Sequence, residues 1–126
     1  EIKGDVVAVG GPGITPPEDN YWERLTGVVY ESPFCGGHAR YRFLPGKRQF
    51  VRDFPAYNLI VKKSALTAVG GYGSHFYGGE DTFLCLKLIK EGFKILYKPQ
   101  VLVYHHRRAL YVPYIKQIAN VGFHRG

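Results

Sequence analysis

Apolar and polar positions along the chain divide it into short segments of two periods. The apolar, β-branched run Val6, Val7, Ala8, Val9 meets the glycine-rich stretch GGPG, the pattern of a buried strand entering a loop. Within that loop, GGPGITPPED, the prolines predict no regular structure. Asn20 with Glu23 forms a capping-box signature, and Tyr21, Trp22, Leu25, Val28 and Val29 recur at helical spacing, which predicts a helix from Asn20 to Tyr30. In CGGHARYRFLPGKRQFVRDF, Tyr41, Phe43 and Phe50 alternate with charges as in half-exposed strands, around a Pro45-Gly46 turn. An irregular, hairpin-like excursion follows from that pattern.

Tyr57 to Val61 reads as a short strand, and Ser64 opens a short helix that stops at Gly70. From Thr82 to Lys90, Phe83, Leu84, Leu86, Leu88 and Ile89 predict a helix buried on most of its circumference and stopped by Gly92. FKILYKP and VLVYHH are two short strands around Pro99, and YVPYIKQIANVGFHRG closes the chain as a helix with a basic end. No internal repeat is present, and the alternation of strands and helices implies an α/β layer structure.

Composition narrows the picture further. The 126 residues suit one compact unit, and 45% hydrophobic residues, with ten Tyr and eight Phe, are ample for a core. The chain contains no Met and opens on Glu1, so an upstream segment is expected. Cys35 and Cys85 stand in no metal or disulfide spacing, as in a reducing compartment. No apolar run approaches the roughly 18 residues that a membrane span requires. Seventeen Lys and Arg against ten Asp and Glu leave a net charge of +7. That balance favours anionic partners, whether nucleic acid, an acidic membrane surface or phosphorylated small molecules, and equally describes an ordinary basic surface.

Few residues are candidates for chemistry. Glu80 and Asp81 stand where a glycine-dense loop, GGYGSHFYGGED, meets a helix. Carboxylates there stabilise the helix start through its exposed amides and dipole, and equally suit a substrate-facing site to which little side-chain bulk blocks access. His105 and His106 follow a strand, so their side chains point to opposite faces and do not form a chelate. Either could be a lone metal ligand or a hydrogen-bonded interior histidine. Arg107 and Arg108 have the forked donors that grip phosphate and are also common on solvated surfaces. The glycines of GGPG match neither a P-loop nor a dinucleotide fingerprint.

Taken in order, VGGPGITPPED, YNLIVKKSALTAVGGY and FYGGEDTFLCLKLIKEGFKILYKPQVLVYHHRR resemble the C-terminal half of family 2 glycosyltransferases of the GT-A fold. The similarity covers nearly the whole chain and is densest from Tyr57 to Arg108. It implies a partial GT-A, Rossmann-like α/β domain with a mixed sheet and flanking helices. Residues 1–126 would be the acceptor half, with the donor-binding half N-terminal to Glu1. By the resemblance, Asp81 is the general base of an inverting transfer from a nucleotide-sugar donor to a glycan or lipid-linked acceptor, and Glu80 orients the acceptor or caps the helix. Gly78 and Gly79 border the substrate, and Arg107 and Arg108 contact the diphosphate.

Such enzymes commonly use Mn²⁺ or Mg²⁺ on an Asp-x-Asp motif, which this chain lacks, and His105 matches the late-strand position that adds a ligand in some relatives. Gln117 and Arg125 fall where relatives place a Gln- and Arg-bearing segment, without the Gln-x-x-Arg-Trp pattern of processive synthases. The reaction is expected in polysaccharide or cell-envelope glycan synthesis, in the cytoplasm or at its membrane face. The isolated half is expected to be inactive and to self-associate through the sheet edge left uncovered. The alternative is a non-catalytic basic module that binds glycan or another anionic polymer. The aromatics fall mostly at core-like spacings, which counts against a stacking surface for nucleic acid.

Overall fold

The computed structural model describes residues 5–73 and 79–125. Val6–Gly10 forms β1, the central strand predicted from its β-branched run. It pairs in parallel with β5 (Lys94–Tyr97) on one side and antiparallel with β4 (Leu59–Val61) on the other. On the far side of β5 lies β3 (Gln49–Val51), antiparallel to it, so the sheet order is β3-β5-β1-β4. Val7 and Ala8 are both buried, and the register of β1 against β5 shifts between Val6 and Ala8, which leaves Val7 as the extra residue of a bulge.

The core joins these residues to Val51, Phe54, Ala65, Leu84, Cys85, Leu88, Ile95 and Tyr97. Leu84, Cys85 and Leu88 come from α4 (Glu80–Lys90), which packs against β5. Phe83 and Leu86 of the same helix are 44% and 56% exposed, which corrects the expectation of a helix buried on most sides. Among the described residues of the helix, only the stripe of Leu84, Cys85 and Leu88 is fully buried. The helix ends with Gly92 at a φ of 82°, a left-handed conformation that glycine adopts without strain.

The loop after β1 also departs from expectation. Gly13–Ile14 forms β2 and pairs in parallel with β6 (Val103–Tyr104). Proline lacks a donor but keeps its acceptor, and Pro12 uses it: the Val103 amide donates to the Pro12 carbonyl at 3.0 Å. The His105 amide continues the ladder to the Ile14 carbonyl at 2.9 Å. A Cβ on Gly11 would collide with the Val101 carbonyl, so these loops pack too closely for any side chain there.

Helix α1 (Tyr21–Glu31) is capped as its sequence indicates: the Asn20 side chain accepts from the Trp22 and Glu23 amides at 3.0 and 3.1 Å, and Glu23 accepts from the Asn20 amide at 3.1 Å. The following segment is helical as far as Arg42 and not the start of a hairpin, whereas Phe50 does lie in a half-exposed strand, β3, paired with β5 and not with the Tyr41–Phe43 stretch. Ser32 caps α2 (Pro33–Gly36), with Pro33 in its first turn, and a 3₁₀ helix spans Gly37–Arg42. Tyr41 and Phe43 pack inward, where Phe43 stacks on Tyr30 at 4.7 Å and Tyr41 meets Tyr97 edge-on at 5.1 Å. A Ser-Pro start outweighed a short period-2 pattern here. Lys63–Ala68 forms α3 and Val112–Arg125 forms α5, both close to prediction. The result is a mixed α/β arrangement with a mixed sheet and flanking helices, compatible with a Rossmann-like domain.

Candidate functional site

The end of β6 delivers four candidate residues to one place. A cleft of about 450 Å³ is lined by His105, His106, Arg107, Arg108 and Gln117 together with Tyr30, Arg42, Phe43, Pro55 and Tyr57. Its volume is in the range of small-molecule sites. The parallel pairing of β2 with β6 holds the His105 backbone, α1 contributes Tyr30, and α5 lays Gln117 against the opening. Tyr114 of α5 meets Tyr30 edge-on at 5.7 Å, which fixes that helix over the cleft.

Arg107 is 7% exposed, and its fork is engaged inside the protein. Nε donates to Thr15 Oγ1 at 3.3 Å, one terminal nitrogen donates to the Gly13 carbonyl, and the other lies 3.4 Å from His105 Nδ1. Its charge centre stands over the rings of Phe43 and Tyr30 at 5.1 and 5.7 Å. Burial holds the Arg107 guanidinium below its ordinary value, which still leaves an arginine charged. Tyr57 packs against the His105 ring at 4.7 Å and donates its hydroxyl to the Arg42 carbonyl at 2.7 Å. Burial, and then the neighbouring Arg107, hold the His105 imidazole below its ordinary value.

His106 lines the same cleft as His105, and its Nδ1 pairs with Asp19 Oδ1. That pairing raises the His106 value, first through the hydrogen bond and then through the charge of Asp19. Arg42 pairs with Asp53 at 3.0 Å, and its Nε and Asp53 Oδ1 are buried without hydrogen-bond partners. Three guanidinium groups and two imidazoles thus converge on one opening, with Asp19 and Asp53 each already engaged. Such a wall attracts an anion.

Glu80 and Asp81 stand apart from that wall, in the first turn of α4. Gly79 caps this helix with no side chain, and Glu80 Oε2 accepts from the Gly79 amide at 2.9 Å. Asp81 Oδ1 accepts from the Thr82 amide at 2.7 Å, and Oδ2 from the Ala56 amide at 3.3 Å. Ala56 directly follows Pro55, a cleft residue, so Asp81 is tied to the segment next to the cleft wall without lining the cleft itself. Gly78 and the Arg125 side chain lie outside the described residues.

The Mn²⁺ or Mg²⁺ expected from the resemblance would be held mainly by an Asp-x-Asp motif, which this chain lacks. Among the described residues no three His, Cys, Asp or Glu side chains come together as a metal site, and His105 Nδ1 faces a cation. Cys85 is buried with its thiol pushed up to about 11, chiefly by burial, and Cys35 is exposed and free. Sequence reasoning missed Arg42, Tyr57, Thr15 and Asp19. Asp19 had a signal, since it sits in the polar stretch just before the α1 cap, but its partner lies 87 residues away.

Comparison with known proteins adds a class of chemistry. No family model matches the chain, and no solved structure matches it. A dolichyl N-acetyl-α-D-glucosaminyl phosphate 3-β-D-2,3-diacetamido-2,3-dideoxy-β-D-glucuronosyltransferase of Methanococcus voltae is 27% identical over 99% of this chain and 39% of its own length. Pre-mycofactocin glycosyltransferases of two Mycobacterium tuberculosis strains are 34% identical over 54% of this chain and 14% of their own length. The chain thus spans well under half of these relatives. These curated relatives are all named as glycosyltransferases.

Proposed function

We propose that the chain is the acceptor- and base-bearing part of an inverting, family 2, GT-A-type glycosyltransferase, with Asp81 as its base and the arginine-lined cleft as its diphosphate site. The observation that carries the reading is the convergence of Arg42, Arg107, Arg108 and His105 on one cleft whose wall, at Pro55, adjoins the segment tied to Asp81. In the step proposed, an acceptor hydroxyl loses its proton to Asp81 while its oxygen bonds to the anomeric carbon. The bond from that carbon to the donor phosphate oxygen breaks, and its electron pair leaves with the diphosphate. Attack opposite the leaving group inverts the anomeric centre. The Thr82 and Ala56 amides hold the Asp81 carboxylate as an acceptor, and a cationic cleft stabilises the charge that develops on the diphosphate.

The nucleotide and sugar of the donor, and any divalent ion, are on this reading bound by residues outside this chain. One relative is named for a dolichyl phosphate-linked substrate, which motivates a lipid-linked acceptor here, met at the cytoplasmic face of a membrane. No helix among the described residues is long and apolar enough to cross a membrane. Replacing Asp81 by Asn in the full-length enzyme is expected to lower kcat by about 10²–10⁴-fold, the usual contribution of a positioned base, with donor binding preserved. Near-normal turnover removes Asp81 from the role. Intact turnover in an Arg108→Ala variant, with unchanged affinity for a nucleoside diphosphate, removes the cleft.

A further inference from the structure

We propose that Arg107 is a positioning residue that locks His105 in the neutral tautomer protonated on Nε2, making His105 a hydrogen-bond donor to an anionic oxygen in the cleft and not a metal ligand. The donor role rests on reading the cleft as an anion site; the tautomer rests on geometry alone. A guanidinium carries five N–H donors and no acceptor, so where Arg107 faces His105 Nδ1 at 3.4 Å the imidazole nitrogen must accept. A neutral imidazole has one proton, and with Nδ1 accepting, that proton is on Nε2.

Arg107 is itself held in place. Thr15 Oγ1 and the Gly13 carbonyl, both at β2, take two of its other nitrogens, and the rings of Phe43 and Tyr30 flank its charge centre. On the His105 side, the Tyr57 ring at 4.7 Å restrains the imidazole. A rotation that offered Nδ1 to a metal would leave a guanidinium donor unmatched beside it. Because His105 lines the cleft, Nε2–H is the group left for a ligand, and it donates where a phosphate oxygen needs a donor. Arg107, whose fork is largely spent on the protein, acts through His105, whereas the exposed Arg108 can meet the ligand directly.

The test is long-range ¹H–¹⁵N correlation of the imidazole signals in the full-length protein carrying ¹⁵N-histidine, at about pH 8, where histidines are largely neutral. His105 is assigned by loss of its signals in His105→Gln. A single Nε2–H tautomer in the wild type, and a tautomer mixture in Arg107→Met, is the expected result. An Nδ1–H tautomer in the wild type overturns the proposal and needs no variant to be folded. Inorganic pyrophosphate is expected to shift the His105 resonances, and diamagnetic Mg²⁺ alone to leave the Nε2–H tautomer of His105 unchanged. Conversion of His105 to the Nδ1–H tautomer on adding Mg²⁺, with Nε2 freed to coordinate, restores the metal role and overturns the proposal. An intact tautomer with no response to pyrophosphate overturns the donor role and the anion-site reading together, while the lock by Arg107 stands.

Discussion

His106 and Asp19 show how much a single pair reports about pH. The Asp19 side chain is 1% exposed and that of His106 71%, so a buried carboxylate holds an imidazole whose other nitrogen is open to water. The His106 value is raised by this partner, so the folded protein keeps the proton to higher pH than the unfolded chain, whose value is near 6.5. The stabilisation is complete below that value and is lost as the pH rises through the folded-state value. His105 moves in the other direction. Its folded value lies below 6.5, so the unfolded chain takes up a proton first and stability falls as the pH drops below 6.5 toward the folded value. Thermal denaturation of His106→Gln beside the wild type separates the two effects, because His105 is common to both. The variant is expected to be less stable at about pH 6 and to approach the wild type at about pH 8. An equal gap at both pH values counts against the pairing.

At the scale of elements, the site depends on how two loops are joined. Asn58 is 7% exposed, and its Nδ2 donates to the Gly11 and Val101 carbonyls, each at 2.7 Å. It pins the loop after β1 to the turn before β6, and β6 carries His105. Asn58→Ala leaves these buried carbonyls short of a donor and is expected to cost about 2 kcal/mol. Asn20→Ala removes the α1 cap and is expected to cost about 1 kcal/mol. Urea denaturation measures both losses. The distinction lies in the cleft: Asn58→Ala is expected to weaken nucleoside diphosphate binding, because β6 loses its register with β2, and Asn20→Ala to leave it near normal. Equal effects of both on binding would detach the cleft from the Asn58 pin.

At the scale of the whole molecule, the sheet ends on two short strands, β3 and β4, whose outer backbone edges have no partner strand among the described residues. Phe50 on β3 is 54% exposed and Ile60 on β4 is 64% exposed. Val112, Ile115, Ile118 and Phe123 on α5 are exposed as well, at 48% or more. Open edges beside apolar side chains pair with other chains. Expressed by itself, the 126-residue chain is therefore expected to self-associate with concentration in small-angle scattering, and a strictly monomeric profile counts against this. It spans only 39% of the length of the archaeal relative, and negligible transfer from a nucleotide sugar is expected of it alone. Robust turnover by the isolated polypeptide would refute the division of labour proposed here.

By itself the sequence determined the local pieces. The β1 run, the Asn20–Glu23 cap, the glycine stops and the carboxylates at the start of α4 were legible because each rests on neighbours within a few residues, where backbone sterics and hydrogen bonding act directly. The candidate residues at 105, 107, 108 and 117 were legible as chemistry but not as one site. Only the tertiary structure brought them to a single cleft, supplied Arg42 from the segment expected as a hairpin and Tyr57 from the start of the next one, and paired Asp19 with a histidine 87 residues away. It also decided that β2 could form beside proline, since a strand that needs only an acceptor finds its donor in β6. The physical reason is the same in each case: burial, charge pairing and sheet registry depend on which surfaces meet, and residues distant in the chain acquire that property only once it is folded.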